Sequence, residues 1–196
     1  MLRFLTPADY TVSPWKNGLG TTTEIARYAD GTAGGFDFDW RVSAADVVAD
    51  GPFSTFPGIH RTIVMVTGNG MELQFADGSM HHLLPLKPFT FDGGIGVNGR
   101  LIAGPVRDFN VMVRRQTWLA QTEVWHSGHI KVAPVESQIV LAYVVSGHWH
   151  VSANDQISTL TPDQTLSVGF PVTGDLQAGC DGAVLLLVTL TQATTG

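Results

Sequence analysis

Short apolar runs separated by glycine and proline dominate this sequence. The chain has 22 glycines and 10 prolines among its 196 residues. From Phe36 to Val48 apolar and polar side chains alternate, which is the two-residue period of a half-buried strand. Asn69-Gly70 stands between two further apolar runs and predicts a tight β-hairpin. Because no segment shows a convincing amphipathic-helix pattern, we predict an all-β fold with frequent turns, one of them at residues 30–35.

Composition excludes several classes of protein. The chain is 44% hydrophobic and 14% charged, with a formal net charge of -6. This charge offers no electrostatic footprint for nucleic acid or an anionic membrane. Residues 182–190 form the most apolar segment, which has the length of a strand and not of a membrane span. The first residues, with Arg3 and Pro7, do not read as a signal peptide, so we expect a cytoplasmic protein.

A weak internal sequence repeat suggests two copies of one β module. Residues 63–70 and 141–148 are both apolar strands that end in a glycine turn. A Leu-x-Pro segment follows each turn, and each half closes on an apolar strand. We predict an N-terminal lobe at residues 1–127 and a C-terminal lobe at residues 128–196, with the N-terminal segment able to pair across lobes. The second half has few Arg, Lys or Glu residues, so we interpret it as a supporting lobe.

The segment 10–26 combines a polar turn with a strand. Lys16 and Asn17 follow Trp15, and the glycines at 18 and 20 allow a sharp turn or a close approach to a ligand. The β-branched residues that follow favour a strand, on which Thr23 and Glu24 point to opposite faces. Two interpretations stay open at this point: a ligand-binding loop, or a surface turn with a solvated lysine.

The strand predicted at 36–48 has two different faces. Trp40 belongs to the aromatic face, whereas Arg41 and Ser43 belong to the other. The usual assumption buries the aromatic face. In a barrel, however, the face with Arg41 and Ser43 could line the lumen, with the aromatic face packed under a second layer.

Two further strands carry charge next to apolar residues. Arg61 begins an apolar strand, and its planar guanidinium suits a carboxylate. The alternative is a structural ion pair with Asp108 or Asp39. Around residue 110, the side chains of Asp108, Asn110, Met112 and Arg114 share one face, which would either line a small-molecule pocket or face solvent.

Cysteine and histidine patterns give little support for metal chemistry. Cys180 is the single cysteine, so an internal disulfide is impossible. His148 and His150 share a strand face and could chelate a metal, but no third ligand stands at a matching place. We therefore interpret the histidines as exposed or hydrogen-bonding, and we predict no metal and no cofactor.

Four blocks of sequence together resemble the HutD/Ves family. They are PWKNGLGTTTEIA at 14–26, WRVS at 40–43, DGPFSTFPGIHRT at 50–62 and GPVRDFNVM at 104–112. The resemblance covers roughly the first 115 residues. It implies a bicupin, with two cupin β-barrels in one chain, and a regulatory or metabolite-sensing protein associated with bacterial histidine utilisation.

We therefore predict that the first cupin lumen binds a small carboxylate metabolite. The family association suggests an intermediate of histidine catabolism such as urocanate or formylglutamate. No catalytic residue is assigned. The predicted ligand-binding residues are Trp15, Lys16, Asn17, Thr23, Glu24, Trp40, Arg41, Ser43, Arg61 and Met112. One alternative is a cupin isomerase or hydrolase, with or without a metal, and another is an interaction module that forms a homodimer through its apolar second lobe.

Overall fold

Short β-strands form almost all the regular structure of the computed structural model, which describes residues 1–31 and 36–193. The chain divides into two compact units. The first unit comprises residues 11–118, and the second comprises residues 1–10 and 119–196. The boundary therefore lies before Leu119 and not after residue 127, and the first ten residues belong to the second unit.

The first unit consists of two antiparallel sheets. Its six-stranded sheet has the order β2-β3-β4-β11-β6-β9, and its four-stranded sheet has the order β5-β10-β7-β8. The strands are β2 (Thr11–Pro14), β3 (Gly20–Tyr28), β4 (Trp40–Val47), β5 (Gly51–Pro52), β6 (Ile59–Thr67), β7 (Met71–Phe75), β8 (Met80–Leu83), β9 (Phe89–Asp92), β10 (Val97–Leu101) and β11 (Val106–Arg114).

The second unit repeats this arrangement. Its sheets have the orders β1-β17-β14-β19-β12 and β13-β18-β15-β16. The strands are β1 (Leu2–Leu5), β12 (Trp118–Trp125), β13 (His129–Val132), β14 (Gln138–Ser146), β15 (Trp149–Ala153), β16 (Gln156–Leu160), β17 (Thr165–Gly169), β18 (Gly174–Ala178) and β19 (Val184–Gln192), and a short 3₁₀ helix lies at Pro7–Asp9.

The weak internal sequence repeat corresponds to a strand order that is repeated in the two units. The order β4-β11-β6-β9 matches β12-β19-β14-β17, and β5-β10-β7-β8 matches β13-β18-β15-β16. A bulge also interrupts the same place in both units, between β6 and β11 at Arg107/Asp108 and between β14 and β19 at Val144/Ser146. This shared register lets individual positions of the two units be compared.

Most predicted strands are present with small shifts at their ends. The turn predicted around Asn69-Gly70 connects β6 to β7, and Gly70 has a φ of 108°. The two strands belong to different sheets and do not pair, so the predicted β-hairpin is wrong. The strand predicted from residue 36 begins only at Trp40. The turn predicted at residues 30–35 lies mostly outside the described residues. The all-β prediction is confirmed.

Each unit has an apolar core between its two sheets. In the first unit the core includes Ile63, Met65 and Leu73. In the second it includes Val140, Trp149 and Leu185. Alternation along β6 places Arg61 on the same face as Ile63 and Met65, so a charged side chain shares the interior of the first unit with its apolar core.

Candidate functional site

The first unit contains a solvent-accessible cavity of about 660 Å³. Its wall combines polar and aromatic side chains from β4, β6 and β11, from the segment before β3, and from the loop that follows β5. The lining residues are Ser13, Pro14, Trp15, Lys16, Asn17, Thr22, Arg41, Ser43, Ala45, Pro52, Phe53, Ser54, Phe56, Arg61, Asp108, Asn110 and Met112.

Strand register brings the polar residues together. β11 lies between β4 and β6, and Met112 is directly opposite Arg41 on one side and Arg61 on the other. Asn110 is opposite Ser43. Directly opposed residues on one face of a sheet are close neighbours. Two arginines distant in sequence therefore face one cavity.

Arg61 is buried but keeps part of its guanidinium free. Its Nε donates a hydrogen bond of 2.8 Å to Asn110 Oδ1, and the guanidinium carbon lies 4.6 Å from the centre of the Phe53 ring. Among the described residues, no protein acceptor binds its two terminal nitrogens, and neither is one of the fully buried atoms without a partner. They therefore reach the cavity. Burial lowers the pKa of Arg61 to about 10, so the side chain is charged at neutral pH.

Asp108 shares this buried polar group. Asn110 Nδ2 donates a hydrogen bond to Asp108 Oδ1, which links the carboxylate to Arg61 through one amide. Burial raises the pKa of Asp108 to about 6, although the positive charge of Arg61 acts in the opposite direction. A carboxylate held in this way can balance part of the cavity's positive charge.

Arg41 supplies a second cation to the same wall. Its guanidinium lies 5.2 Å from the centre of the Phe38 ring and 5.8 Å from that of Phe56. Its Nη2 contacts Met112 Sδ at 3.7 Å, and its Nε is buried without a hydrogen-bond partner. Burial lowers the pKa of Arg41, and the charge of Arg41 also lowers the pKa of Arg61. The two arginines thus repel each other across the cavity.

The turn before β3 closes one side of the cavity. Trp15 Nε1 donates a hydrogen bond of 2.8 Å to Thr22 Oγ1, and Asn17 Oδ1 accepts one of 3.1 Å from the Leu19 amide. A side chain at Gly20 would overlap the backbone oxygen of Asp46 and crowd the Trp15 ring. Glycine is therefore required there for the indole to pack.

Seven of the ten predicted site residues line the cavity: Trp15, Lys16, Asn17, Arg41, Ser43, Arg61 and Met112. The other three do not, and we correct their placement. Thr23 lies on the face of β3 opposite to Thr22, which lines the cavity instead.

Trp40 and Glu24 are engaged elsewhere. Trp40 stacks on Tyr28 at 6.2 Å and meets Trp118 edge-on, because alternation along β4 turns it away from Arg41 and Ser43. Glu24 pairs with Arg27 at 3.5 Å. Its charge still acts on Arg41, whose pKa it raises against the effect of burial.

Several lining residues were not among the predicted ones. Asp108 and Asn110 share the face of Met112, and this two-residue period leaves them either in a pocket or in solvent, without assigning them to the site. Phe53 and Phe56 lie in an irregular loop, where no period indicates which way a side chain points. Arg114 makes an ion pair of 3.0 Å with Asp39, so one of the two partners considered for Arg61 belongs to another arginine. The other, Asp108, is linked to Arg61 through Asn110.

A family model for HutD matches residues 7–186. The chain belongs to the HutD family. It is 38% identical over 151 residues to an uncharacterised 21.2 kDa protein of Pseudomonas putida encoded in the region 3′ of hutC, a match that covers 77% of each chain. HutD is associated with the histidine-utilisation locus, so the family prediction is confirmed.

Two solved structures are similar to this chain over nearly its whole length. A conserved protein of unknown function from Pseudomonas aeruginosa is 31% identical, with a TM-score of 0.85 over 99% of this chain and 100% of its own. HutD from Pseudomonas fluorescens SBW25, in a formate condition, is 32% identical, with a TM-score of 0.81 over 99% and 100% of the two chains.

More distant neighbours bear only on the fold. A cupin 2 conserved barrel protein from Leptotrichia buccalis is 7% identical and aligns over 89% of each chain with a TM-score of 0.57. The cupin-like prediction is confirmed, although each unit consists of two separate sheets and not of one closed barrel. Among the described residues no helix has the length and apolar character needed to cross a membrane.

Proposed function

We propose that the cavity of the first unit binds a small carboxylate metabolite and that the protein acts in regulating histidine utilisation. Its ligand would be an intermediate of histidine catabolism, with urocanate and formylglutamate as the first candidates. The family's association with the histidine-utilisation locus supports this pathway. We place this role in the cytoplasm.

Charge supports an anionic ligand. Lys16, Arg41 and Arg61 line the cavity, and Asp108 is its only carboxylate among the described lining residues. The positive side chains therefore outnumber the negative one even though the whole chain carries a net charge of -6. An anion placed between Arg41 and Arg61 would reduce their repulsion and replace the water lost on burial.

The free face of the Arg61 guanidinium carries the proposal. Its Nε is held by Asn110 and its plane is stacked near Phe53, so the direction of its terminal nitrogens is set before any ligand arrives. Paired nitrogens of arginine match the two oxygens of a carboxylate. Because little side-chain freedom remains to be lost, binding costs less entropy.

The rest of the wall suits an organic acid. Trp15, Phe53 and Phe56 offer aromatic surface, and the Ser43 hydroxyl has no protein partner among the described residues. Small-molecule sites combine such apolar surface with polar groups that fix the orientation of the ligand. Formate is the smallest carboxylate with which to probe the guanidinium alone.

The test is isothermal titration of wild type and Arg61→Gln with urocanate, formylglutamate and formate. We expect a single site, and a loss of about 2–5 kcal/mol of binding free energy in the variant, because a buried charged contact is removed. Arg100→Gln is the matched control, since Arg100 is exposed on β10 and outside this cavity. Arg41→Gln is a second variant should Arg61→Gln fold poorly.

Equal binding by wild type, Arg61→Gln and Arg41→Gln would contradict the proposal. Binding and catalysis are then separated by recording NMR spectra of each acid during incubation with the protein. An unchanged acid supports a binding protein, whereas conversion that Arg61→Gln abolishes would favour the cupin-enzyme alternative.

A further inference from the structure

Two histidines project together from the outer face of the second unit. His150 lies in β15, and His148 comes directly before that strand. Trp149 lies between them in the chain and Val151 follows them, and both of these side chains are buried in the core. Alternation along the strand therefore turns the two histidines outward. Their ring centres are 5.3 Å apart.

The two Nε2 atoms converge over Gly179. This glycine follows β18, which pairs with β15, and its amide donates a hydrogen bond of 2.9 Å to the His148 oxygen. A methyl group placed on Gly179 would lie 2.9 Å from His150 Nε2 and would overlap His148 Nε2. Both nitrogens therefore face one small volume that only a glycine leaves empty.

A neighbouring hydroxyl orients one of the rings. His150 Nδ1 is 3.1 Å from Thr159 Oγ1 on the adjacent strand β16. A hydrogen bond at one ring nitrogen fixes the orientation of the other, which is the usual outer-shell arrangement of a metal-binding histidine.

We propose that His148 and His150 bind a divalent transition-metal ion through their Nε2 atoms. Imidazole nitrogens bind such ions at about 2.0–2.1 Å, so an ion held by both histidines would lie between the two Nε2 atoms in the space beside Gly179. No set of three histidine, cysteine or carboxylate ligands occurs among the described residues, so water fills the remaining positions.

Copper(II) should bind most tightly. For imidazole sites the affinity rises along the first row to copper(II) and falls again at zinc(II). This site lies in the second unit and differs in chemistry from the cavity of the first unit, since it offers imidazole nitrogens and no buried cation.

The experiment is a titration of untagged, full-length protein with copper(II), nickel(II) and zinc(II) against a competing chromophoric chelator. We expect one ion per chain. His148→Gln and His150→Gln should each weaken copper binding by about tenfold or more, because the second imidazole otherwise binds intramolecularly. His126→Gln is the matched control, as an exposed histidine outside this pair.

Electron paramagnetic resonance identifies the ligands independently of affinity. Hyperfine splitting from two imidazole nitrogens is expected in the copper(II) wild type, and from one in each single variant. Cys180→Ser tests the adjacent thiol, and we expect an unchanged spectrum.

Gly179→Ala tests the convergence itself, because both histidines remain while the added methyl group separates them. We expect copper affinity to fall to that of the single variants. Thr159→Val should weaken it by about 10-fold. Wild-type affinity in both histidine variants, or a spectrum that only Cys180→Ser changes, would overturn the proposal.

Discussion

The two units share a strand order and a bulge but differ in what fills their interiors. Through the common register, Arg61 of β6 corresponds to Val140 of β14, and Asp108 of β11 corresponds to Leu185 of β19. Val140 and Leu185 belong to a continuous apolar core. The second unit therefore has apolar side chains at the two positions where the first unit has an arginine and an aspartate.

This difference in interior residues indicates which side chains the fold requires and which serve the cavity. Buried charges lose their hydration, and apolar residues of similar volume at the same place often stabilise a protein as well or better. The second unit shows that the topology does not need Arg61, Asn110 or Asp108. Their burial in the first unit is therefore best explained by the cavity that they line.

The largest expected effect comes from placing a charge in the apolar interior. Leu185→Asp copies Asp108 into the second unit without an arginine or asparagine to meet it. We expect a loss of about 3–5 kcal/mol in the free energy of unfolding, measured by urea denaturation. Ile157→Asp on the exposed side of β16 is the control and should change it by about 0.5 kcal/mol or less. Similar losses in both variants would mean that the interior position has no special role.

A smaller effect concerns pH and Asp108. Its pKa in the folded protein, about 6, lies above its ordinary value of 3.8, so the folded state binds more protons between these values. The contribution of Asp108 to stability is therefore complete below about pH 4 and is lost as the pH rises through 6. Relative to Asp108→Asn, wild type should lose about 2 kcal/mol of its free energy of unfolding between pH 4 and pH 7.

The comparison uses the difference in free energy of unfolding between wild type and Asp108→Asn at each pH. This difference removes the effect of other carboxylates, whose lowered pKa values change stability with pH in the opposite direction. Arg61, Arg107 and Asp46 also act on the Asp108 charge. Parallel pH profiles of the free energy of unfolding for the two proteins would show that Asp108 titrates normally.

In the same pH range we expect carboxylate ligands to bind more tightly at lower pH, since a neutral Asp108 does not repel them.

The smallest expected effect on stability belongs to the triple variant Arg61→Met/Asp108→Leu/Asn110→Leu, which makes the first interior resemble the second. We expect the free energy of unfolding to stay within about 1 kcal/mol of wild type or to rise, because both charges and the amide that bridges them leave together. Titration should show that carboxylate binding is lost. A severe loss of stability would instead assign these charges to the fold.

Much of the fold could be predicted from the sequence because strand periodicity is local. Alternation around Arg41 and Ser43 showed that they share a face, and the same period joins Asp108 and Asn110 to Met112. Asn69-Gly70 indicated a tight turn for an equally local reason, since such a turn requires a backbone that glycine readily adopts. The local pattern did not reveal that the strands before and after this turn join different sheets instead of forming a hairpin. The repeated module was visible as two apolar strands ending in glycine turns.

Tertiary structure alone decided which face of each strand is the interior and what meets across it. Local sequence defines two faces, but pairing with distant strands selects one of them, which is why Thr22 and not Thr23 lines the cavity and why Trp40 does not. The proximity of Arg41 to Arg61 depends on β11 lying between their strands. Likewise, the convergence of His148 and His150 depends on Gly179, a residue from another strand end that leaves space for both rings.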